Sequence, residues 1–218
     1  MVTAKSTRVR NRRGEGSRLR DDLVAAARRL LESSGWEDAV TLRSTAREAG
    51  VSAPAIYAHF ADRAALLEAV VREAFAEFAA DLTDAMAGVG EPVERLRAGC
   101  TAYVRFAHNH PATYRILFTR PHPTAMPGAA AQASDTFRLL VDTIRDCVAV
   151  GGSASRDPAA DALALWLGLH GLAVLPPAHP RFPWPDEQVL LDTLLARLAL
   201  TRPSKAASHG AELVELRE

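Results

Sequence analysis

The sequence predicts an all-α protein of about nine helices, and three observations predict it. Apolar residues recur at i, i+3, i+4 and i+7 through most of the chain, interrupted by Gly and Pro clusters. Residues 41–60, TLRSTAREAGVSAPAIYAHF, read as two short helices joined by a tight turn at Gly50. Residues 158–175, PAADALALWLGLHGLAVL, are apolar almost all round, the pattern of a helix buried on two sides. A length of 218 residues suffices for one or two domains with a sizeable core, and 48% hydrophobic with 24% charged residues places the chain among soluble globular proteins.

Residues 1–16 carry Lys5, Arg8, Arg10, Arg12 and Arg13 with almost no apolar content, and so read as a disordered basic arm. It is either a solvated tail adding salt-sensitive affinity for polyanions or a segment that reaches into a DNA minor groove. The first helix begins at Ser17, with Leu19, Leu23, Ala26, Ala27, Leu30 and Leu31 on one face. It ends at Ser34-Gly35, where Trp36 is expected beneath the turn.

In residues 41–60, Thr41 caps a helix bearing Leu42, Thr45, Ala46 and Ala49 on its inner face. Gly50 supplies the turn, Ser52 is the next N-cap, and Pro54 sits in the first turn, where a missing N–H costs nothing. Ile56 and Phe60 face inward at i, i+4, leaving Ala53, Ala55, Tyr57 and His59 outward. This is the layout of a helix-turn-helix, whose second helix presents an open face to a major groove.

Asp62 caps a long helix to about Met86, with Leu66, Leu67, Val70, Val71, Ala74, Phe75, Phe78 and Leu82 as its stripe. Gly88, Gly90 and Pro92 break it. Further helices are predicted over residues 91–109, a short apolar one around Tyr114 to Phe118, and one over residues 129–150. A Pro-rich loop, residues 121–128, separates the last two. After residues 158–175 come five prolines in a stiff loop, then a last helix over residues 186–200. Residues 203–218 look weakly ordered.

Net charge is zero but unevenly spread: residues 1–63 hold 12 Lys+Arg against 8 Asp+Glu, and the remainder is acidic. That polarity suits a polyanionic partner at one end only. The two cysteines, Cys100 and Cys147, lie in apolar helical patterns and read as buried free thiols. No signal peptide is evident, and the longest apolar run, residues 162–175, is shorter than the roughly 20 residues of a membrane span. The expected location is cytoplasmic. Among the histidines, His108, His110 and His122 lie close in sequence, but no Cys or carboxylate completes a ligand set, so no metal site and no cofactor is expected. No motif of hydrolytic, phosphate-binding or metalloprotease catalysis occurs, and the chain does not read as an enzyme.

The pattern A-x-x-A-G-V-S followed by I-Y-x-H-F and a cation (Ala46 to Ser52, Ile56, Tyr57, His59, Phe60, Arg63) closely resembles the DNA-binding domain of TetR-family transcriptional regulators. Thr45 departs from the bulky aliphatic residue usual there, and Arg63 from the usual Lys. H-N-H-P-A-T-Y-R-I-L-F at residues 108–118 is similar to a segment between the family's middle helices. W-x-x-x-H-G (Trp166, His170, Gly171) resembles an effector-domain motif of one TetR subgroup.

The resemblance implies a division into 1–16 (arm), 17–63 (helix-turn-helix), 64–202 (ligand binding and dimerisation) and 203–218 (tail). It implies DNA contacts at Thr41, Arg43, Ser52, Ala53, Pro54, Ala55, Tyr57, His59 and Arg63. Hydroxyls, imidazole and guanidinium suit phosphates, and Arg43 is the best base reader because Arg pairs bidentately with guanine. It implies an apolar effector cavity, with candidates Phe75, Phe78, Tyr103, Phe106, Tyr114, Phe118, Phe137 and Ile144, and His170 as polar anchor. Each aromatic also suits plain core. Finally it implies a homodimer whose last two long helices form a four-helix bundle, through Leu165, Trp166, Leu169, Leu172, Leu191, Leu194, Leu195 and Leu198. The expected function is a repressor that binds a near-palindromic operator and is released by an apolar or aromatic small molecule. The alternatives are an activator or ligand-independent regulator of the same fold, or a small-molecule-binding or catalytic helical protein with a vestigial helix-turn-helix.

Overall fold

The computed structural model describes residues 15–118 and 127–201, with side chains over 18–118 and 134–201. The basic arm, most of the Pro-rich loop with His122, and the tail from residue 202 lie outside the described residues. Those residues form nine α-helices and one 3₁₀ turn, with no strand beyond a single bridge between Ser153 and Thr201. The helices are α1 (Glu15–Ser34), α2 (Leu42–Glu48), α3 (Ala53–Ile56), α4 (Arg63–Met86), α5 (Pro92–Asn109), α6 (Pro111–Phe118), α7 (Pro127–Ala149), α8 (Pro158–Ala178) and α9 (Glu187–Leu198). The chain divides into two compact units between Val71 and Arg72, inside α4.

In the first unit, Leu23, Val24, Ala27 and Leu31 of α1 are buried with Ala46, Ile56, Phe60, Leu66 and Val70. The helix stops follow local chemistry. Gly35 and Gly50 both take positive φ near 71°, where a Cβ is disfavoured, and the Gly50 N–H closes onto the Arg47 carbonyl. The carboxylate of Asp62 accepts the Ala65 N–H at 2.8 Å and caps α4. One expectation fails here, and one element was not foreseen. Trp36 does not lie under the turn but is 70% exposed. Residues 37–39 wind into a 3₁₀ turn that apolar periodicity could not reveal, because none of its residues is buried.

The second unit packs α5, α7 and α8 around one another, with α9 against α8. Gly168 makes the last contact close: a Cβ there would come within 2.8 Å of Leu194 Cδ2 and 3.0 Å of Leu198 Cδ1. Arg95 of α5 pairs with Asp146 of α7 at 2.8 Å, and Arg97 pairs with Asp192 of α9. The loop after α7 is pinned to the end of α9 by the Ser153 hydroxyl, which donates to the Ala199 carbonyl at 2.7 Å. Both cysteines are buried free thiols, as expected.

Helix α8 corrects the sequence reading in two ways. It runs on through Pro176 and Pro177 to 21 residues, which makes it long and apolar enough to cross a membrane by length and composition. And of the eight residues expected at a subunit interface, Leu165, Leu169, Leu172, Leu191 and Leu195 are at most 7% exposed within one chain. They are core, because α8 and α9 turn these faces to each other and to α5 and α7. The apolar face of α8 left open is Leu163, Leu167, Val174 and Leu175.

Candidate nucleic-acid interface and ligand cavity

The first candidate site is the surface built by α2, α3 and the turn between them. Thr41 opens it with a reciprocal cap. The Ser44 N–H donates to Thr41 Oγ1 at 3.0 Å, and the Thr41 N–H donates to Ser44 Oγ at 2.9 Å. This fixes the first turn of α2 and leaves Arg43 exposed beside it. Helix α3 is only Ala53–Ile56, with Pro54 in its first turn, and continues as turns closed by the His59 and Phe60 N–H groups on the Ile56 carbonyl, both at 2.9 Å. Ser52 stands at the N-cap position, yet its side chain makes no cap bond. Ile56 and Phe60 are buried, and Arg20 of α1 lies over the Phe60 ring at 5.1 Å. Anchored this way, the short element turns Ser52, Ala53, Pro54 and Tyr57 outward, Tyr57 being 62% exposed, with Ala55 and His59 half-buried.

Arg63 is placed differently from the expectation of phosphate contact. Its Nε donates to the Val40 carbonyl and its Nη2 to the Glu37 carbonyl, each at 2.8 Å, and Nη2 pairs with Glu37 Oε1 at 3.0 Å. A planar fork of this kind ties the start of α4 to the segment that leads into Thr41. Arg63 therefore holds the interface from behind. Thr45, the departure noted in the sequence, is fully buried and its hydroxyl has no hydrogen-bond partner among the described residues. A bulky aliphatic residue would fill that site without leaving a polar atom unsatisfied.

The second candidate site is a cavity of about 800 Å³ within the second unit. Its wall comes from α4 (Phe75, Phe78, Leu82, Met86), α5 (Leu96, Gly99, Cys100, Tyr103), α6 (Leu117, Phe118), one face of α7 including Phe137, and α8 (Leu163, Trp166, Leu169). A cavity of this size and apolarity is in the range of small-molecule sites. Five sequence candidates line it: Phe75, Phe78, Tyr103, Phe118 and Phe137. Phe106, Tyr114, Ile144 and His170 do not. Phe106 and Ile144 are fully buried core, which the same helical spacing produces. Trp166, expected at a subunit interface, is on the cavity wall. Leu169, expected at a subunit interface, is on the wall as well, and Leu96 and Cys100 were not expected there because aliphatic and thiol side chains at core spacing carry no mark of a cavity.

The aromatic residues form one connected cluster. Phe78 meets Tyr103, Phe106 and Phe118 at ring-centre distances of 5.3, 5.0 and 5.7 Å, and Phe118 meets Tyr114 at 4.7 Å. Within it is a polar triad. The hydroxyls of Tyr103 and Tyr114 are 2.8 Å apart, and the Tyr114 hydroxyl is 2.7 Å from His170 Nδ1. Burial pushes Tyr103 up to about 12 and raises Tyr114, while burial lowers His170. All three are therefore neutral near pH 7. Burial also holds the Cys100 thiol up at about 12, so it is not a nucleophile. No group of three or more His, Cys, Asp or Glu side chains suited to a metal occurs among the described residues.

Comparison with known proteins places this geometry. Residues 23–70 match the model of bacterial regulatory proteins of the tetR family, and residues 96–198 match that of the tetracyclin repressor-like C-terminal domain. The chain belongs to the TetR family. Among curated proteins, the HTH-type transcriptional activator FasR of Mycolicibacterium smegmatis is 28% identical over 141 residues, which cover 63% of this chain. The aligned part spans 64% of that relative's length. Among solved structures, a protein of unknown function from Rhodococcus sp. RHA1 is 28% identical with a TM-score of 0.74, covering 84% of this chain and 94% of that one. The structure of AibR in complex with isovaleryl coenzyme A and operator DNA has a TM-score of 0.61 at 16% identity, covering 85% of this chain and all of that one. At that identity the likeness is one of fold. The TetR fold, with its amino-terminal helix-turn-helix and helical carboxy-terminal unit, is thus the architecture of this chain.

Proposed function

We propose that this TetR-family protein is a cytoplasmic transcriptional regulator that binds a near-palindromic DNA operator as a homodimer and answers to an apolar small molecule held in the second unit. The observation that carries the DNA half is the shared exposure of Arg43, Ser52, Ala53, Pro54 and Tyr57 around a capped, buried scaffold. Thr41, Ser52, Tyr57 and His59 contact phosphates, Arg43 reads a base edge, and Ala53 and Ala55 leave room against thymine methyls. With so few hydrogen-bonding groups on α3, DNA shape supplies much of the selectivity. Arg63 acts through the loop it braces.

The homodimer rests on the open apolar face of α8, Leu163, Leu167, Val174 and Leu175, which is too long and continuous to leave in water. Two copies related by a dyad place their recognition elements roughly 34–36 Å apart, or a multiple of that, along the duplex. W-x-x-x-H-G supports assignment to the TetR subgroup that carries this motif. The ligand class follows from the wall: aromatic and aliphatic along most of its surface, with polar groups from Tyr103 and Trp166 and, on α7, from Thr136, Arg138, Thr143 and Arg145. An acyl chain or a flat aromatic with one polar end fits this description, and the isovaleryl coenzyme A held by AibR is of the first kind. Binding reshapes α5 to α8 and moves α4, which continues from the cavity wall into the first unit; DNA and ligand affinities are then reciprocally linked. We assign the output as repression relieved by ligand.

Gel-shift titration of a selected duplex with wild type, Arg43→Ala and Tyr57→Ala tests the DNA assignment. Both variants are expected to bind more weakly while folding normally, and unchanged affinity in both would remove these residues from the interface. A reporter driven by that duplex distinguishes repression from activation.

A further inference from the structure

The triad behind the cavity wall has a direction, and that direction decides what the cavity offers a ligand. Tyr103 has one hydrogen, and the Tyr114 oxygen lies 2.8 Å away. Tyr114 has one hydrogen, and His170 Nδ1 lies 2.7 Å away, against 3.4 Å from Tyr103 to the same nitrogen. With Nδ1 unprotonated, Tyr114 donates to His170 and Tyr103 donates to Tyr114, so the chain runs Tyr103 to Tyr114 to His170. In this state the only hydroxyl hydrogen on the cavity wall among the three is turned away from the cavity, towards Tyr114.

Placing a proton on His170 Nδ1 reverses the order. The imidazole then donates to Tyr114, Tyr114 donates to Tyr103, and the Tyr103 oxygen accepts. Its own hydrogen must leave the triad, and Tyr103 is the member that lines the cavity. The groups that face His170 are Tyr114 and Phe118 from α6, Tyr103 from α5, and Trp166 from its own helix. None of them is charged near pH 7. The imidazole is half-buried; the switch is a change of tautomer, in which Nδ1 gains a proton, Nε2 gives one up to solvent and the ring stays neutral.

We propose that the Tyr103 end of the cavity is a head-group site for a hydrogen-bond acceptor, a carbonyl or carboxylate on an apolar chain, and that filling it switches His170 to the Nδ1-protonated form through Tyr114. The inference rests on the cavity being the effector site. It adds which end binds the polar group, which chemistry that group has, and where the binding event is registered. His170 touches no ligand and is a positioning residue. A ligand whose polar end is only a donor gains nothing from the switch and leaves the triad in its resting order.

The test uses full-length protein labelled with ¹⁵N at histidine, with decanoate and decylamine as acceptor-ended and donor-ended probes and calorimetry as the measure of binding. Decanoate is expected to bind at least about tenfold more tightly than decylamine, the scale of one hydrogen bond to a charged group. It is also expected to convert the His170 Nδ1 resonance from unprotonated to protonated type, while decylamine leaves it unchanged. In Tyr114→Phe, which keeps the ring but cuts the relay, decanoate still binds and the His170 resonance no longer responds. Binding of decanoate by wild type with His170 unchanged, or the same conversion in Tyr114→Phe, overturns the relay while leaving the cavity as effector site. If neither probe nor the general apolar dye anilinonaphthalene sulfonate binds, the effector reading fails and the relay with it.

Discussion

In the first unit the residues of interest stand outside a small core, and in the second they line a hollow inside a larger one. Tyr57 and Arg43 are exposed, and the core beneath them is Ile56, Phe60 and their neighbours. Phe75, Phe78 and Tyr103 are almost wholly buried yet border about 800 Å³ of empty space. The difference separates two kinds of functional residue. Changing a surface residue of the first unit alters recognition at little cost in stability, whereas changing a wall residue of the second alters both. Each unit also holds a polar feature that its core does not need: the unsatisfied hydroxyl of Thr45 in the first and the partnered triad at Tyr103 in the second.

The largest expected effect is on the interior side. Phe78 touches three other rings, so Phe78→Ala should lower unfolding free energy in urea by about 3–5 kcal/mol, with a larger, less selective cavity. A loss below 1 kcal/mol would mean that the wall is loosely packed. Leu167→Glu comes next. It buries a charge in the proposed α8 contact, and sedimentation should report a folded monomer with dimer affinity reduced by more than about tenfold, at least the 1.4 kcal/mol that such a factor represents. Retention of a wild-type dimer would move the interface elsewhere.

On the outer side, Arg43→Ala should cost about 1–3 kcal/mol of operator binding and relax selectivity at one base pair, with Tm unchanged. Arg63 sharpens the contrast between gripping DNA and bracing the gripper. A phosphate contact tolerates Lys, but the fork onto Val40 and Glu37 does not. Arg63→Lys is therefore expected to lose about 1 kcal/mol of stability and to weaken operator binding as much as Arg63→Ala does. If Lys restores full affinity, the phosphate role returns. The smallest effect is a gain: Thr45→Val removes a buried unsatisfied hydroxyl and should raise stability by about 1 kcal/mol, seen as a higher Tm with operator affinity unchanged.

The same contrast explains what could be read from sequence. The helix-turn-helix was legible because its signals are local: a capping Thr41, a positive-φ Gly50, a Pro54 in a first turn, and polar residues that no core would claim. Most of the helices were legible from apolar period and from their Gly and Pro boundaries, although α8 passed through Pro176 and Pro177. The cavity was not, since period tells which face is buried but not whether the space behind it is filled. Phe106 and Phe78 look alike in sequence, yet one is core and the other wall. The burial of Leu165, Leu169, Leu172, Leu191 and Leu195 within one chain was hidden for a related reason. A helix apolar all round shows that two sides are covered, and only the packing tells which side a single chain covers itself. The bracing role of Arg63 was not legible, because a cation beside a DNA-binding element has two uses and its partners Val40 and Glu37 are more than 20 positions away in sequence.

Selection of bound fragments from a random duplex pool tests the central claim most directly. The wild-type protein should enrich an inverted repeat with half-site centres roughly one helical turn or a multiple apart, and Arg43→Ala should enrich the same repeat with one position in each half-site relaxed. A pool that stays random under wild type, or one that Arg43→Ala and Tyr57→Ala enrich unchanged, would contradict the assignment of residues 41–60 as the DNA-reading surface.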